Sequence, residues 1–412
     1  MKLAIVAGEA SGDLHASEVV RELKKLDPSL TTFGIGGDFL AREGMKLLHH
    51  AREMAIIGLF NVLRHIRFFR RVMRELIETI ERERPDAVMF VDYPGFNMRA
   101  AKRVKALGIP IVYYISPQIW AWHRGRVREI ERTVDRMIVI LPFEEAFYRE
   151  HNVPVTYVGH PLIEQVIGVK RAAPREGVTR IALLPGSRRQ EVKGLLPAML
   201  DAVEDLRRGG VAGAESRDRT KGAGGPRPAA GGGETAGRGL PAAGQNAGRI
   251  AGATHTIEPY IVQAPTIEHS ELEAIVKAKN VDIPILPHDR GEGIAAADVA
   301  LSSSGTATLE CAVLGTPVVV MYRLSRMTHW IGQKLVQVPH FSLVNIIAGK
   351  EVVPELLQHD VNGKRIAAEA RRLLEPEYNR WVREELASVR TKLGEPGASR
   401  RAAEAIMSVV PR

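Results

Sequence analysis

The chain has 412 residues, of which 45% are hydrophobic and 25% charged, a composition typical of a globular protein with about two domains. The single cysteine, Cys311, excludes an internal disulfide, and no Cys or His residues have metal-site spacing, so we expect no metal and no cofactor. The formal charge of +9 suits anionic lipid, phosphorylated substrates or nucleic acid. Because no nucleic-acid-binding motif accompanies this charge, we expect no nucleic-acid partner.

The N-terminus leads directly into an apolar run at residues 2–7, which is too short for a signal peptide. No stretch of the chain approaches about 18 uncharged apolar residues, the length needed to cross a bilayer. We therefore expect a cytoplasmic protein without a membrane-spanning segment.

Apolar strand-like runs alternate with helical patterns along most of the chain, which is typical of parallel sheets covered by helices. A first series lies at 3–7, 31–35, 87–92, 111–115, 136–140 and 155–158, and a second at 180–184, 257–263, 283–286, 299–302 and 317–321. We interpret them as two tandem Rossmann-like domains, at 1–168 and 169–375, with the active site in the cleft between them. Residues 376–412 have helical periodicity and are predicted to pack back across both domains.

The first strand is followed by the glycine-rich turn GEASGD at residues 8–13, immediately before a helix. Small residues let the backbone approach a ligand, and amides at a helix start can bind an anion, so Gly12 is a candidate substrate contact. An ordinary tight strand-to-helix turn is the alternative. The spacing differs from the dinucleotide-binding motif, which argues against an NAD enzyme.

A basic amphipathic helix is predicted at residues 56–77. It has more large apolar residues than one core-facing stripe needs, with arginines among them, a pattern typical of helices on an anionic membrane surface. The predicted membrane contacts are Leu59, Phe60, Leu63, Arg67, Phe68 and Arg71. The alternative is a helix that packs on the core and turns a basic face to solvent.

Asp92 lies at the end of the third predicted strand, in the motif VDYPGFN at 91–97, and should face the cleft. A carboxylate there could accept the proton of an attacking hydroxyl as a general base. A helix N-cap or turn aspartate is the alternative, because Pro94 and Gly95 suit a turn. The aromatic motif YYISPQIWAW at 113–122 could contact sugar rings or acyl chains, although core packing is the commoner role.

The motif LLPGSRRQE at 183–191 has the features of a phosphate-binding turn. A strand is followed by Gly186, Ser187 and Arg188 ahead of a helix, so that backbone amides and a guanidinium converge where a diphosphate would lie. The lysine spacing of a P-loop is missing, which argues against ATP hydrolysis.

A second such turn is SSSGTATLE at 302–310, with the candidate contacts Ser304, Gly305 and Thr306 before a helix. Glu310, one to two turns into that helix, could bind both hydroxyls of a ribose while the turn amides hold phosphate. An ordinary capped helix is the alternative.

Residues 209–255 depart from the rest in composition, being rich in Gly, Ala, Pro and Arg with almost no large apolar residues. Such a segment cannot bury enough surface to offset the entropy lost on ordering. We expect a disordered insertion in the second domain, and an RNA-binding tail is the alternative.

Eight motifs, in this order, resemble the lipid-A-disaccharide synthase family. They are GEASGD, VDYPGFN, SPQIWAW, LPFEEAFY at 141–148, VGHPL at 158–162, LLPGSR, SGTATLE and NIIAGKEVVPELLQ at 345–358. The resemblance covers nearly the whole chain except the segment after residue 209. It implies the GT-B fold, in which two Rossmann-like α/β domains face each other across a cleft.

The resemblance also implies an activity in lipid A biosynthesis. The family are inverting enzymes that transfer 2,3-diacylglucosamine from UDP-2,3-diacylglucosamine to 2,3-diacylglucosamine 1-phosphate, forming the β-1,6-linked disaccharide 1-phosphate and UDP. Matched by motif, Asp92 is the general base and Asn345 lies near the donor. The matched diphosphate and nucleotide contacts are Gly186, Ser187, Arg188, Ser304, Gly305, Thr306 and Glu310. Similar proteins are peripheral at the cytoplasmic face of the inner membrane, where the helix at 56–77 would be the anchor.

Two other functions suit part of the sequence. An enzyme similar to UDP-N-acetylglucosamine 2-epimerase would share the fold but would need no lipid-binding helix. A UDP-sugar-binding membrane scaffold without turnover would need no general base, whereas Asp92, Arg188 and Glu310 are all present.

Overall fold

The computed structural model describes residues 1–55, 62–122, 124–173, 175–209, 256–287, 290–323 and 339–410. In the first half of the chain the strands are β1 (Lys2–Ala7), β2 (Thr31–Gly36), β3 (Lys46–His50), β4 (Ala87–Val91), β5 (Ile111–Tyr114), β6 (Arg136–Val139) and β7 (Val155–Tyr157). They form one parallel sheet in the order β3-β2-β1-β4-β5-β6-β7.

Helices connect these strands. They are α1 (Ala10–Leu26), α2 (Asp38–Arg42), α3 (Ala51–Ala55), α4 (Val62–Glu83), α5 (Pro94–Ala106), α6 (Ile119–Trp122), α7 (Val127–Thr133), α8 (Pro142–Glu150) and α9 (Leu162–Gln165), with a 3-10 turn at Arg124–Arg126. Both faces of the sheet are covered, because Ile5 of β1 packs in one apolar cluster with α1 and Val6 packs in another with α4 and α5. Burial on both faces explains why the central strands β1 (KLAIVA) and β4 (AVMFV) are almost entirely apolar.

The second half has its own parallel sheet. Its strands are β8 (Val178–Leu184), β9 (Thr256–Val262), β10 (Ile285–Leu286), β11 (Val299–Ser303), β12 (Val318–Tyr322) and β13 (Glu355–Leu357), in the order β10-β9-β8-β11-β12-β13. The helices are α10 (Arg189–Gly209), α11 (His269–Ala278), α12 (Arg290–Ala296), α13 (Thr306–Val313), α14 (Leu343–Ala348), α15 (Gly363–Leu374), α16 (Pro376–Lys392) and α17 (Ala398–Met407), with a 3-10 turn at Gln358–Asp360.

Each predicted strand coincides with an observed one, and the arrangement of two tandem Rossmann-like units is confirmed. The sequence missed β3 and β13. Both lie at the edge of a sheet, where a strand has one neighbour and can be short or polar, so β3 (KLLHH) and β13 (ELL) give weak apolar patterns.

The chain passes between the two halves twice, after β7 and again between α16 and α17. Helix α17 packs on α1 and β6 of the first half, whereas α16 packs on helices of the second. The two crossings touch, because the amide of His160 donates to the carbonyl of Leu393 at 2.9 Å and the hydroxyl of Tyr157 donates to the carbonyl of Lys392 at 2.8 Å.

Several predictions lie wholly or partly outside the described residues. The insertion is one, since residues 210–255 are not described, and Leu59, Phe60 and the side chain of Leu63 are others. The domain limits at residues 168 and 375 stay predictions. Within the described part of the chain, no helix combines the length and apolar character needed to cross a membrane.

Candidate active site

The central strands of both sheets point their carboxyl ends at one cavity of about 540 Å³, a size typical of ligand sites. Strand order reverses between β1 and β4 in the first sheet and between β8 and β11 in the second, and ligands of open α/β sheets bind at such points. The structure brings four of the predicted site residues together on the cavity wall: Gly12, Asp92, Arg188 and Thr306.

Asp92 is the first residue after β4 and has a positive φ of 45°. Its carbonyl oxygen accepts hydrogen bonds from the hydroxyl of Tyr113 at 2.6 Å and from the side-chain amide of Asn97 at 2.8 Å. Asn97 is fully buried and also donates to the carbonyl of Val91 at 3.2 Å. These bonds hold an unfavourable backbone conformation in place and fix Asp92 at the cavity.

Burial raises the pKa of Asp92 to about 6, and the negative charge of Glu9 acts in the same direction. A backbone hydrogen bond at Tyr93 and the charges of His15 and Arg188 oppose the rise. A carboxylate with this pKa is still mostly ionised at neutral pH and is a stronger base than an exposed aspartate. Asp92 therefore suits general-base chemistry.

Glu9→Gln is expected to shift the acid limb of the pH–rate profile to lower pH. With a pKa of about 6, only about a tenth of the Asp92 side chains are ionised at pH 5, so wild-type kcat/KM rises through pH 6. Removing the like charge lowers the pKa of Asp92 and raises the relative rate at pH 5. The measurement is kcat/KM against pH, with Glu22→Gln on α1, the helix that follows Glu9, as control. Superimposable profiles for wild type and Glu9→Gln would contradict the coupling.

In the glycine-rich turn, Gly8 and Gly12 leave room for close packing and Asp13 has a structural role. A Cβ at Gly8 would lie 2.5 Å from the ring of Tyr93, so only glycine fits there. The buried carboxylate of Asp13 accepts the amides of Gly37, Phe39 and Leu40 at 2.6, 2.9 and 3.2 Å and so caps α2. Gly12 is buried and lines the cavity.

The turn after β8 already holds a carboxylate. Glu191 accepts the amide of Ser187 at 3.1 Å and lies 3.4 Å from the guanidinium of Arg188. Gly186 has a φ of 123°, and a Cβ there would meet Glu191 at 2.5 Å, so glycine is required. Arg188 lines the cavity with a side chain that is 75% exposed. Glu191 thus takes the donors that a diphosphate would use, a feature that the motif alone did not show.

In the second predicted phosphate turn, after β11, a candidate contact is again paired with another residue of the protein. Thr306 begins α13 and lines the cavity, while the amide of Ser304 continues the sheet by donating to the carbonyl of Met321 at 2.8 Å. Gly305 has a φ of 151°, which favours glycine. Glu310, one turn into α13, forms an ion pair with Arg290 of α12. Arg290 was missed because only the fold brings it to Glu310.

Asn345 is not brought to the cavity. It is fully buried, and its side-chain amide donates to the carbonyl of Val353 and to Glu355 at 2.9 and 2.8 Å. Its side-chain oxygen accepts the amides of Val352 and Val353 at 2.8 and 3.0 Å. All its hydrogen-bonding groups are used within the protein, so the side chain positions α14, whose Leu343 lines the cavity.

Glu144 and His160 line the cavity, and the sequence did not single them out. Glu144 is buried and accepts hydrogen bonds from the hydroxyl of Ser116 at 2.7 Å, the indole of Trp120 at 3.2 Å and the amide of Leu141 at 3.1 Å. Burial raises the pKa of Glu144 to about 7 and lowers that of His160 to about 3. Ser116 and Trp120 belong to the motif SPQIWAW, whereas Leu141 and Glu144 belong to LPFEEAFY. Only the folded structure brings these two motifs into contact.

On α4, the described candidates for membrane contact are Arg67, Phe68 and Arg71. Both arginines are exposed, and the guanidinium of Arg71 lies over the half-buried ring of Phe68 at 5.6 Å. On the opposite face Val72 and Leu76 are fully buried in the core. Among the residues that the structure describes, no three His, Cys, Asp or Glu side chains are grouped as metal ligands.

The chain matches the family model described as lipid-A-disaccharide synthetase over residues 3–210 and 245–409. Lipid-A-disaccharide synthase from Myxococcus xanthus is 39% identical over 424 residues, covering 100% of this chain and 98% of the relative. The enzyme of the same name from Syntrophus aciditrophicus is also 39% identical and covers 99% of this chain and 97% of the relative.

Solved structures with similar folds include UDP-GlcNAc 2-epimerase from Neisseria meningitidis bound to UDP-GlcNAc, with a TM-score of 0.59, 14% identity, and coverage of 99% of this chain and 100% of that one. The glycotransferase of kitacinnamycin has a TM-score of 0.59 at 16% identity and covers 100% of this chain and 99% of that one. The chain therefore has the predicted GT-B fold and is a glycosyltransferase enzyme. It belongs to the lipid-A-disaccharide synthetase family. Its likeness to epimerases is one of fold alone, so the epimerase and scaffold alternatives are not favoured.

Proposed function

We propose that this enzyme transfers 2,3-diacylglucosamine from UDP to the 6-hydroxyl of 2,3-diacylglucosamine 1-phosphate with inversion at the anomeric carbon. The observation that carries the proposal is that Asp92 and Arg188, from opposite sheets, line one cavity. The first supplies a base and the second a phosphate-binding charge. The products are the β-1,6-linked lipid A disaccharide 1-phosphate and UDP.

In the proposed step, Asp92 accepts the proton of the acceptor hydroxyl while the hydroxyl oxygen attacks the anomeric carbon of the donor. The bond from that carbon to the phosphate oxygen breaks on the opposite face, which inverts the configuration. The proton ends on Asp92 and the electron pair on the departing UDP. One base suffices for a single displacement, and Asp92 is held at the cavity by Tyr113 and Asn97.

Negative charge develops on the diphosphate as UDP leaves. Arg188 supplies a permanent positive charge, and the amides of Ser187 and of Thr306 at the start of α13 can donate to phosphate oxygens. We propose that the diphosphate replaces the carboxylate of Glu191 at this turn and that Glu310 exchanges Arg290 for the ribose hydroxyls.

The test is product formation by the purified chain in detergent, with both proposed substrates and a chelator. Disaccharide 1-phosphate and UDP should appear in equal amounts without added metal, because Arg188 and the two turns supply the stabilising charge. NMR of the new glycosidic bond should show the β configuration. A folded protein that binds UDP but forms no disaccharide under these conditions, with or without Mg²⁺, would refute the proposed reaction.

We also propose that the enzyme binds the cytoplasmic face of the inner membrane as a peripheral protein, through the basic face of α4. Four arginines of that helix are exposed: Arg67, Arg70, Arg71 and Arg74. Beside them Ile66 is 40% exposed. Exposed cations around an apolar residue suit an anionic lipid surface, where substrates with acyl chains would be found.

Removing Arg67 and Arg71 together is expected to weaken binding to vesicles containing anionic phospholipid by about 30-fold, because each arginine near such a surface contributes about 1 kcal/mol. Vesicle sedimentation at low and high salt measures the effect, which should shrink as salt rises. The control removes Arg380 and Arg390, exposed residues of α16, and so changes net charge equally. Equal losses in both double variants would show that net charge, not α4, drives binding.

A further inference from the structure

Two permanent positive charges line the cavity from opposite halves of the molecule. Arg188 lies on the turn after β8, where Glu191 is its partner. Arg126 lies on the first half, and its exposed side chain forms no ion pair or hydrogen bond within the described residues. The proposed reaction assigns Arg188 to the donor diphosphate and leaves Arg126 without a function.

The position of Arg126 puts it on the acceptor side of the cavity. Strand β5 pairs in parallel with β4, so the segment that follows β5 lies along the same sheet edge as Asp92. This segment runs from Ile115 through α6 to Arg126, and several of its residues line the cavity. Gln118, also on this wall, is exposed and has no hydrogen bond within the described residues.

The histidines of the same wall do not substitute for Arg126. The lowered pKa of His160, about 3, keeps its buried ring neutral, and its Nδ1 accepts the amide of Leu162 at 3.1 Å. His15 has a carboxylate nearby, that of Glu18 at 3.6 Å. Arg126 is thus the permanent positive charge on this wall that forms no ion pair within the described residues.

The wall around Asp92 is otherwise acidic, since Glu9 and Asp92 both line it. A negatively charged acceptor that places its hydroxyl at Asp92 is repelled by these carboxylates unless a cation binds its phosphate. In glucosamine 1-phosphate, C1 carries the phosphate and C5 carries the 6-hydroxymethyl group, and both carbons are bonded to the ring oxygen. A cation that binds the phosphate while the 6-hydroxyl meets Asp92 must therefore lie on the same wall as Asp92, as Arg126 does.

We infer that Arg126, with Gln118 as a second donor, binds the phosphate monoester of the acceptor sugar. Guanidinium groups bind phosphate through paired, charge-assisted hydrogen bonds, which suits a monoester with several free oxygens. The inference rests on the proposed transfer to a sugar 1-phosphate. It adds that the site selects phosphorylated over unphosphorylated acceptors and that this selection depends on Arg126.

The experiment compares two acceptors, 2,3-diacylglucosamine 1-phosphate and 2,3-diacylglucosamine, with wild type, Arg126→Ala and Arg128→Ala. Arg128 is exposed on α7 and lies outside the cavity, so it is the matched control. Wild type and Arg128→Ala should prefer the phosphorylated acceptor by about 100-fold in kcat/KM. Arg126→Ala should lose most of this preference through a higher acceptor KM, with the donor KM unchanged.

Arg126→Gln, which keeps a polar side chain without charge, gives the same readout if the alanine variant fails to fold. A preference as strong in the Arg126 variants as in wild type would overturn the inference, as would equal losses with both acceptors. A wild-type enzyme that uses both acceptors equally would also overturn it while leaving the glycosyl transfer intact. A wild type that forms no product with either acceptor would refute the proposed function, and this inference with it.

Discussion

Asp92→Asn is expected to lower kcat by about 10²- to 10⁴-fold, the usual contribution of a general base. The amide has nearly the same size and cannot accept the acceptor proton. Because burial raises the pKa of Asp92, keeping its carboxylate ionised at neutral pH costs folding free energy. The variant should therefore be at least as stable as wild type, and lost activity cannot be assigned to unfolding.

The measurements for this variant are steady-state kinetics, thermal unfolding and UDP binding. Thermal stability should be equal or higher, and UDP affinity should be little changed because the two turns proposed to bind the nucleotide lie on the other sheet. The residual rate should also lose the rise in activity through pH 6 that ionisation of Asp92 produces. Near-normal turnover by a folded Asp92→Asn protein would exclude Asp92 as the base.

Arg188→Ala is expected to lower kcat by about 10²- to 10³-fold, because it removes the charge that we propose stabilises the leaving diphosphate. Donor KM should rise as well, since the same guanidinium would contact the diphosphate in the bound donor. The acceptor KM should stay close to wild type. Arg188→Lys should recover part of the rate, because lysine supplies the charge but not the paired donors of a guanidinium.

Arg189→Ala is the control for this variant. Arg189 is the next residue and its side chain is 70% exposed, but it pairs with Glu271 at 2.7 Å and does not line the cavity. Its removal should leave kcat and both KM values near wild type. If the two alanine variants lost activity equally, the effect would come from net charge or from the start of α10 rather than from a diphosphate contact.

Most of the fold could be predicted from the sequence, because strands buried on both faces are continuous apolar runs. Ala87–Val91 (AVMFV) in the first sheet and Val318–Tyr322 (VVVMY) in the second, each with a neighbouring strand on both sides, are examples. The edge strands Lys46–His50 and Glu355–Leu357 could not be predicted, because one neighbour can hold a short or polar strand. The hydrogen bonds that define them form between residues far apart in the chain.

The position of Asp92 and Arg188 at the cavity could be predicted, because each lies in the turn that follows a strand. Residues placed by packing between elements could not, and Glu144 and Arg290 are of this kind. The donor contact of Asn345 stays a prediction, because its motif suggested it whereas the hydrogen bonds of the side chain in the structure are internal. A motif gives the residue types of a site, but its neighbours in space decide the role of each residue.

The two adjacent chain crossings restrict how the cleft can open. The bond between His160 and Leu393 and that between Tyr157 and Lys392 hold the two crossings side by side. A bend of the two halves about this pair of crossings would keep both bonds, whereas a twist along it would break them. Such a bend would widen or narrow the cavity, which Asp92 and Arg188 line from opposite halves.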